Sequence, residues 1–411
     1  MANNQHEKEA FRGTGGLLLT LGIELVLYAL IMAIFLDHGG TTLIIDVILA
    51  AAAIVYFKRN HALADKISAT LAANRKAAWI GVIVLLLAVP FVLQASAYWL
   101  FIVITAGLFM MACLGLNIQL GSTGMMNLAG AAFQAFGAYT AGLLALNYGL
   151  PTWLTLLAGA LVTGLFSILL FIPVLKTKGH YLALVTIAFQ FMVVILVENM
   201  EWTGGPQGLK NIPLMNFFGY SFNEPLNLGF ITLHKYANYY YFTLLLLFAL
   251  GIAAHRIYHS WVGVTAATIR DDEVAAQTNG VQVNKWKLTL FVLGNCFIGL
   301  SGAFYSHMVG FISPPNFAFD KSLVMVSIVI LGGMDNVLGI ILGAFLLIIL
   351  PEKLRFIQDY RFMIYGIVLI VMLIFQPRGL LPFVPRSYAE LIQRYRHKLL
   401  QGKKAQGGQE A

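Results

Sequence analysis

The sequence predicts an all-α integral membrane protein, polytopic, with about ten membrane helices plus broken or re-entrant segments. Three observations carry that reading. Of 411 residues, 59% are hydrophobic and only 11% charged, and the mean hydropathy is +0.79. An ordinary soluble chain is about 25% charged, so this one cannot clothe itself in a water-facing surface. Apolar runs repeatedly reach the ~20 residues needed to cross ~30 Å of hydrocarbon. The cations, finally, gather between those runs: Lys58, Arg59, Lys66, Arg75 and Lys76 in one loop, Lys176 and Lys178 in another, more in the tail "RYRHKLLQGKK". That is the positive-inside pattern, so the net charge of +8 marks cytoplasmic loops rather than nucleic-acid binding.

Taken in order, residues 1–15 are polar and of mixed charge, and the run Gly16–Leu36 is longer than the apolar part of a secretory signal, so it reads as the first membrane helix. A second span is expected near 42–57. The basic stretch 58–76 sets these two apart, which makes 1–76 an accessory N-terminal unit, 77–385 the core and 386–411 a basic cytoplasmic tail. Core spans are expected near 78–94, 98–118, 127–147, 153–175, 180–199, 239–257, 287–309 and 361–376. Segment 321–350 reads as two short helices broken at "GGMDN" (332–336), because a single crossing would strand the basic tail outside. Residues 200–238 form the longest polar excursion and by parity face outward. Within it Thr203, Gly204, Gly205 and Pro206 are expected to present a docking surface. Cys113 and Cys296 both lie inside apolar runs and read as small core residues.

Two Gly-rich breaks interrupt the apolar phase, "LGSTGMMNLAGAAFQAFGAYTAG" (120–142) and "LGGMDNVLGIILGAFLL" (331–347). Non-helical backbone at membrane depth survives only where protein or a water-filled cavity surrounds it. Interruptions in two halves of a chain point to a transporter's central path. The path set is Ser122, Thr123, Gly124, Asn127, Gln134, Tyr139, Gly332, Gly333, Asp335 and Asn336. Single glycines also serve close helix packing, and single polar side chains also serve helix–helix hydrogen bonds. Glu24 and Asp46 are intramembrane acids, functional candidates by default, but they lie in the accessory spans.

The island "TIRDDEVAAQTNG" (268–280) reads as a short cytoplasmic helix. Thr268 would cap it, Asp271, Asp272 and Glu273 would occupy its first turn, and Gly280 would end it. Val274, Ala275 and Ala276 would give a small apolar face shaped for another protein's groove. Two readings compete at this point. A metal site would need a second acidic cluster, and the other acids are scattered; a solvated loop would merely keep its charges out of the bilayer.

The stretch that begins with this island and runs through "VQVNKWKLTLFVLGNCFIGLSGAFYSHMVGFISPPNF" resembles the LivM-type permease subunits of branched-chain amino acid ABC importers. "GHYLALVTIAF" (179–189), "TGGPQGL" (203–209), "LGGMDNVLGIILGAFLL" and "QPRGLLP" (376–382) follow that family in order and spacing, over roughly 98–385. The resemblance implies that Arg270, Asp271, Asp272, Glu273, Ala275, Ala276 and Gly280 form the coupling helix that inserts into an ATPase. It implies as partners a second homologous permease subunit, two cytoplasmic ATPases and a periplasmic binding protein, in the bacterial inner membrane. Helix ends at the breaks would then offer N–H groups to a substrate carboxylate and carbonyls to its ammonium. No catalytic residue, metal site or cofactor is expected on this chain; no G-x-x-x-x-G-K-[ST] occurs, so ATP and Mg would sit on the partners. The chain departs from the family at Asn127–Gly130, His180, Gln190 and Asp335–Asn336, which leaves urea, amides or other amino acids as alternative substrates. An ATP-independent secondary carrier, which would need no coupling helix, is the rival class.

Overall fold

In a computed structural model, the described residues are essentially 73–353, apart from 95, 175–179, 218, 228 and 230–231, with scattered positions at 20–32, 70, 363–374 and 379–381. The expected span at 42–57, most of those at 16–36 and 361–376, Asp46, Lys176, Lys178 and the tail 386–411 lie outside them.

Twelve α-helices are defined among the described residues: α1 Arg75–Val92, α2 Ala97–Thr123, α3 Gly130–Tyr148, α4 Thr152–Val174, α5 His180–Asn199, α6 Tyr236–Tyr258, α7 Trp261–Asp271, α8 Glu273–Thr278, α9 Val283–Val309, α10 Phe319–Gly332, α11 Val337–Ala344 and α12 Leu350–Lys353. A π-helical turn, Phe345–Ile349, joins the last two. Six helical stretches among the described residues are long and apolar enough to cross a membrane: Ala97–Thr123, Thr152–Pro173, Tyr181–Asn199, Tyr236–Tyr258, Val283–Val309 and Pro314–Gly332. The chain is thus an all-α, multi-pass membrane protein. The expected break at 332–336 is present, between α10 and α11.

The residues divide into two compact units. One lies within Met1–Val103, Glu224–Tyr241 and Glu352–Arg361; the other within Ile104–Asn223, Phe242–Pro351 and Phe362–Ala411. In the first, Tyr240 donates its hydroxyl proton to Leu86 O at 2.8 Å. Strands β3 Leu226–Asn227 and β4 Thr232–Leu233 pair antiparallel there.

The second unit is built around α9, which packs along α3 and α4. The sequence permits this contact through small residues. A Cβ on Gly137 or Gly302 would collide with backbone of the facing helix, at Gly299 and Gln134 respectively. Without side chains there, the backbones approach closely, the way helices associate when lipid removes the hydrophobic drive between them. α4 shows the other face of the rule. Leu157, Leu161 and Leu165, four residues apart, are 53%, 70% and 65% exposed, while Thr155, Thr163 and Ser167 are fully buried. The leucines point out of the unit and the hydroxyls into it. α3 carries too many Gly, Ala and polar residues to count among the apolar crossings, and most of it is buried inside the unit.

The excursion after α5 is more ordered than a loop. It holds 3-10 turns at Glu201–Thr203 and Gly205–Gln207 and a two-stranded pair, β1 Asn216–Phe217 with β2 Tyr220–Ser221. Leu209 and Ile312 exchange backbone hydrogen bonds of 2.8 and 3.1 Å, stapling it to the segment beyond α9.

Candidate functional site

The first break covers 124–129. α2 ends where Gly124 takes φ +72°, and Met125 N–H returns to Gln119 O at 3.2 Å. Four N–H groups around the start of α3 are engaged by side chains. Leu128 N–H donates to Thr186 Oγ1 (3.1 Å), Ala129 N–H to Asn127 Oδ1 (2.9 Å), Ala131 N–H to Ser322 Oγ (2.8 Å) and Ala132 N–H to Gln190 Oε1 (2.7 Å). Gln190 also donates to Phe317 O at 2.8 Å and accepts from Ser322 at 3.0 Å. Against the expectation that this helix end offers its N–H groups to a carboxylate, those of Ala131 and Ala132 are already engaged. Helix starts leave four orphan donors, and here the neighbouring helices α5 and α10 take two of them.

Below that cap lies an uncharged network. Asn127 donates to Gln119 Oε1 (2.8 Å) and Asn295 Oδ1 (3.3 Å), and Gln119 donates to Asn295 Oδ1 (3.0 Å). Thr123 closes its own turn onto Gln119 O at 2.7 Å. Gln134 reaches Ser301 at 3.4 Å. Tyr139 is separate: its ring lies 6.0 Å from that of Phe317 and its buried hydroxyl finds no hydrogen-bond partner. The predicted path residues thus divide among several local environments.

The second break holds Gly333 at φ +108° and Asp335 at φ +63°. α10 and α11 fold back on each other as an antiparallel pair, because a Cβ on Gly332 would strike Gly339 and one on Gly343 would meet Ile328 O. α11 is capped by its own Asn336, whose Oδ1 accepts from Leu338 N–H (3.0 Å) and Gly339 N–H (3.3 Å), so this start is occupied too.

Asp335 ties the break to the island. Its Oδ2 accepts from Arg270 Nη1 at 2.7 Å, its Oδ1 from Ser122 Oγ at 3.0 Å, and its N–H donates to Asn117 Oδ1 at 2.9 Å. Arg270 Nη1 also donates to Gly121 O, and Asn117 to Tyr258 OH at 2.8 Å. The Asp335 side chain is 2% exposed and that of Arg270 25%. Sequence reading put Arg270 and Asp335 in different roles. Asn117, Gln119 and Asn295 were missed, although polar residues inside apolar runs were the available signal.

The island itself differs from its expected form. Thr268 lies inside α7, its hydroxyl on Thr265 O at 2.8 Å. The cap is Asp272, extended at φ −156°, whose Oδ1 accepts from Val274 and Ala275 N–H at 2.9 and 3.0 Å. Competition from this side chain breaks one helix into two, Asp271 ending α7 and Glu273 opening α8. Ala276 is 4% exposed, packed with Ile269 and Val283 of this same chain, and Glu273 pairs with Lys287. Both were expected to face an ATPase and instead hold α8 to its own helices. The outward side carries Val274, 66% exposed, with Ala275, Gln277 and Thr278. Gly280, at φ +81°, turns the chain as expected.

In the excursion after α5 Thr203 is buried, its hydroxyl on Val197 O and Met200 O at 2.7 and 2.6 Å. Gly204 and Gly205 supply left-handed turns at φ +80° and +56°. What they expose is Trp202, 63% accessible, with Pro206 beside it.

Residues 98–373, which contain both breaks and the island, match the family described as branched-chain amino acid transport system / permease component. The chain is 34% identical over 284 residues to the high-affinity branched-chain amino acid transport system permease protein LivM of Salmonella typhimurium, covering 66% of each protein. It is 30% identical over 400 residues to LivM of Escherichia coli K12, covering 89% of this chain and 94% of that one. No solved structure matches the chain. With the match running through the breaks, the excursion after α5 and the island alike, the chain belongs to the family of branched-chain amino acid transport system permease components.

Proposed function

We propose that this chain is the membrane permease subunit of an ATP-driven importer of branched-chain amino acids in the bacterial inner membrane. The observation that carries this is the family match over 98–373. The chain lines part of the path and performs no covalent step; ATP hydrolysis belongs to two cytoplasmic ATPases, and a homologous permease completes the path. A periplasmic binding protein delivers the amino acid, meeting the outer excursion around Trp202 and Pro206. Between α7 and α9, α8 presents Val274, Ala275 and Gln277 to the ATPase groove, with Ala276 as the internal anchor.

The test is reconstitution in proteoliposomes. Uptake of labelled leucine is expected with the second permease, both ATPases and the binding protein, and absent for this chain alone. Val274→Glu, a charge on an exposed side chain that leaves the fold intact, should abolish ATPase copurification. ATP-independent uptake by the purified chain would overturn the importer reading. Undiminished copurification with Val274→Glu would overturn the docking role of α8.

A further inference from the structure

At the junction of Arg270 and Asp335, parts of four elements meet: the end of α2, the end of α6, α7, and the apex between α10 and α11. Asp335 occupies a left-handed position, uncommon for a residue with a side chain. Its carboxylate, 2% exposed, accepts from α7 through Arg270 and from α2 through Ser122, while its N–H is held by Asn117. Leu380 and Leu381 donate their N–H groups to Leu331 O and Gly332 O at 2.7 and 3.2 Å, so the apex is pinned from the C-terminal side as well. Helices in simple apolar contact can slide past one another. Helices joined by a buried ion pair cannot part without leaving a charge uncompensated. α7 runs directly into α8, and α8 is locked to α7 and α9 by Ala276 and by the Glu273–Lys287 pair.

We propose that Asp335 is a positioning residue for energy coupling: through Arg270 it fastens α7 to the apex of the α10–α11 pair, so that a displacement of α8 reaches the second break. This rests on α8 being the ATPase-docking element. The ion pair acts as a strut between the surface that an ATPase pulls and the apex of the α10–α11 pair.

The experiment uses the full importer in proteoliposomes with the binding protein, reading leucine uptake, ATP hydrolysis and ATPase copurification together. Arg270→Gln combined with Asp335→Asn removes both charges and keeps a hydrogen-bonding pair, so no buried charge is orphaned. It should copurify the ATPases and hydrolyse ATP as the parent does, while uptake per ATP falls roughly tenfold, inside the 5–150-fold span of typical coupling between sites. Arg270→Lys, which keeps the cation, should retain most of the uptake per ATP. Unchanged uptake per ATP in the neutral pair would overturn the strut, as would equal losses of uptake and hydrolysis. Lost copurification in the neutral pair would also overturn it, by making the pair part of docking. Failure of the docking role itself appears elsewhere, as intact copurification with Val274→Glu.

Discussion

The two breaks look alike in sequence and are stabilised in opposite ways. The first, at 124–129, is sealed by uncharged side chains brought from distant helices: Thr186 and Gln190 of α5 and Ser322 of α10. The second, at 333–336, caps its own helix with Asn336 and hands its one buried carboxylate to Arg270. A network of neutral hydrogen bonds shares its strength among many partners. A buried ion pair concentrates strength in two residues, because losing either leaves a charge in a low-dielectric site. The first break reads as a fixed seam and the second as a mechanical joint.

The sharpest way to break this contrast is Arg270→Leu, which should destabilise the subunit by about 3–5 kcal/mol as the Asp335 carboxylate is left unpaired. Because Arg270 is a quarter exposed, water relieves part of that, and the low end is expected. At the first break Gln190→Leu removes one acceptor and one donor, leaving Ala132 N–H and Phe317 O without that partner, a cost of about 2–3 kcal/mol. Asn336→Ala removes only a helix cap and should cost about 1 kcal/mol. Thermal unfolding in detergent measures all three. The comparison fails if Gln190→Leu proves costlier than Arg270→Leu, since the seam would then hold the larger single contribution.

Much of the fold was legible in the chain. Apolar runs gave the six crossings found among the described residues, and the Gly-rich interruptions gave both breaks, because α-helix propensity and membrane length are local properties. The Thr268 cap was misread for a local reason as well: Asp272, three residues before Ala275, is an equally good acceptor and sits where the chain can extend. Ala276 was misread for a non-local one. A small apolar residue looks the same in sequence whether it meets a partner protein or its own neighbours Ile269 and Val283.

By itself, then, the sequence determined a helical membrane protein with two Gly-rich breaks between helices, a charged turn and membership in a permease family, since composition, periodicity and motif order need no third dimension. Only the tertiary structure decided what occupies the interruptions. Gln190 lies 58 residues from Ala132, and Asp335 lies 65 residues from Arg270. No spacing rule links such positions. Burial enforces those pairings, because an orphan N–H or carboxylate away from water must find a partner wherever the fold places one.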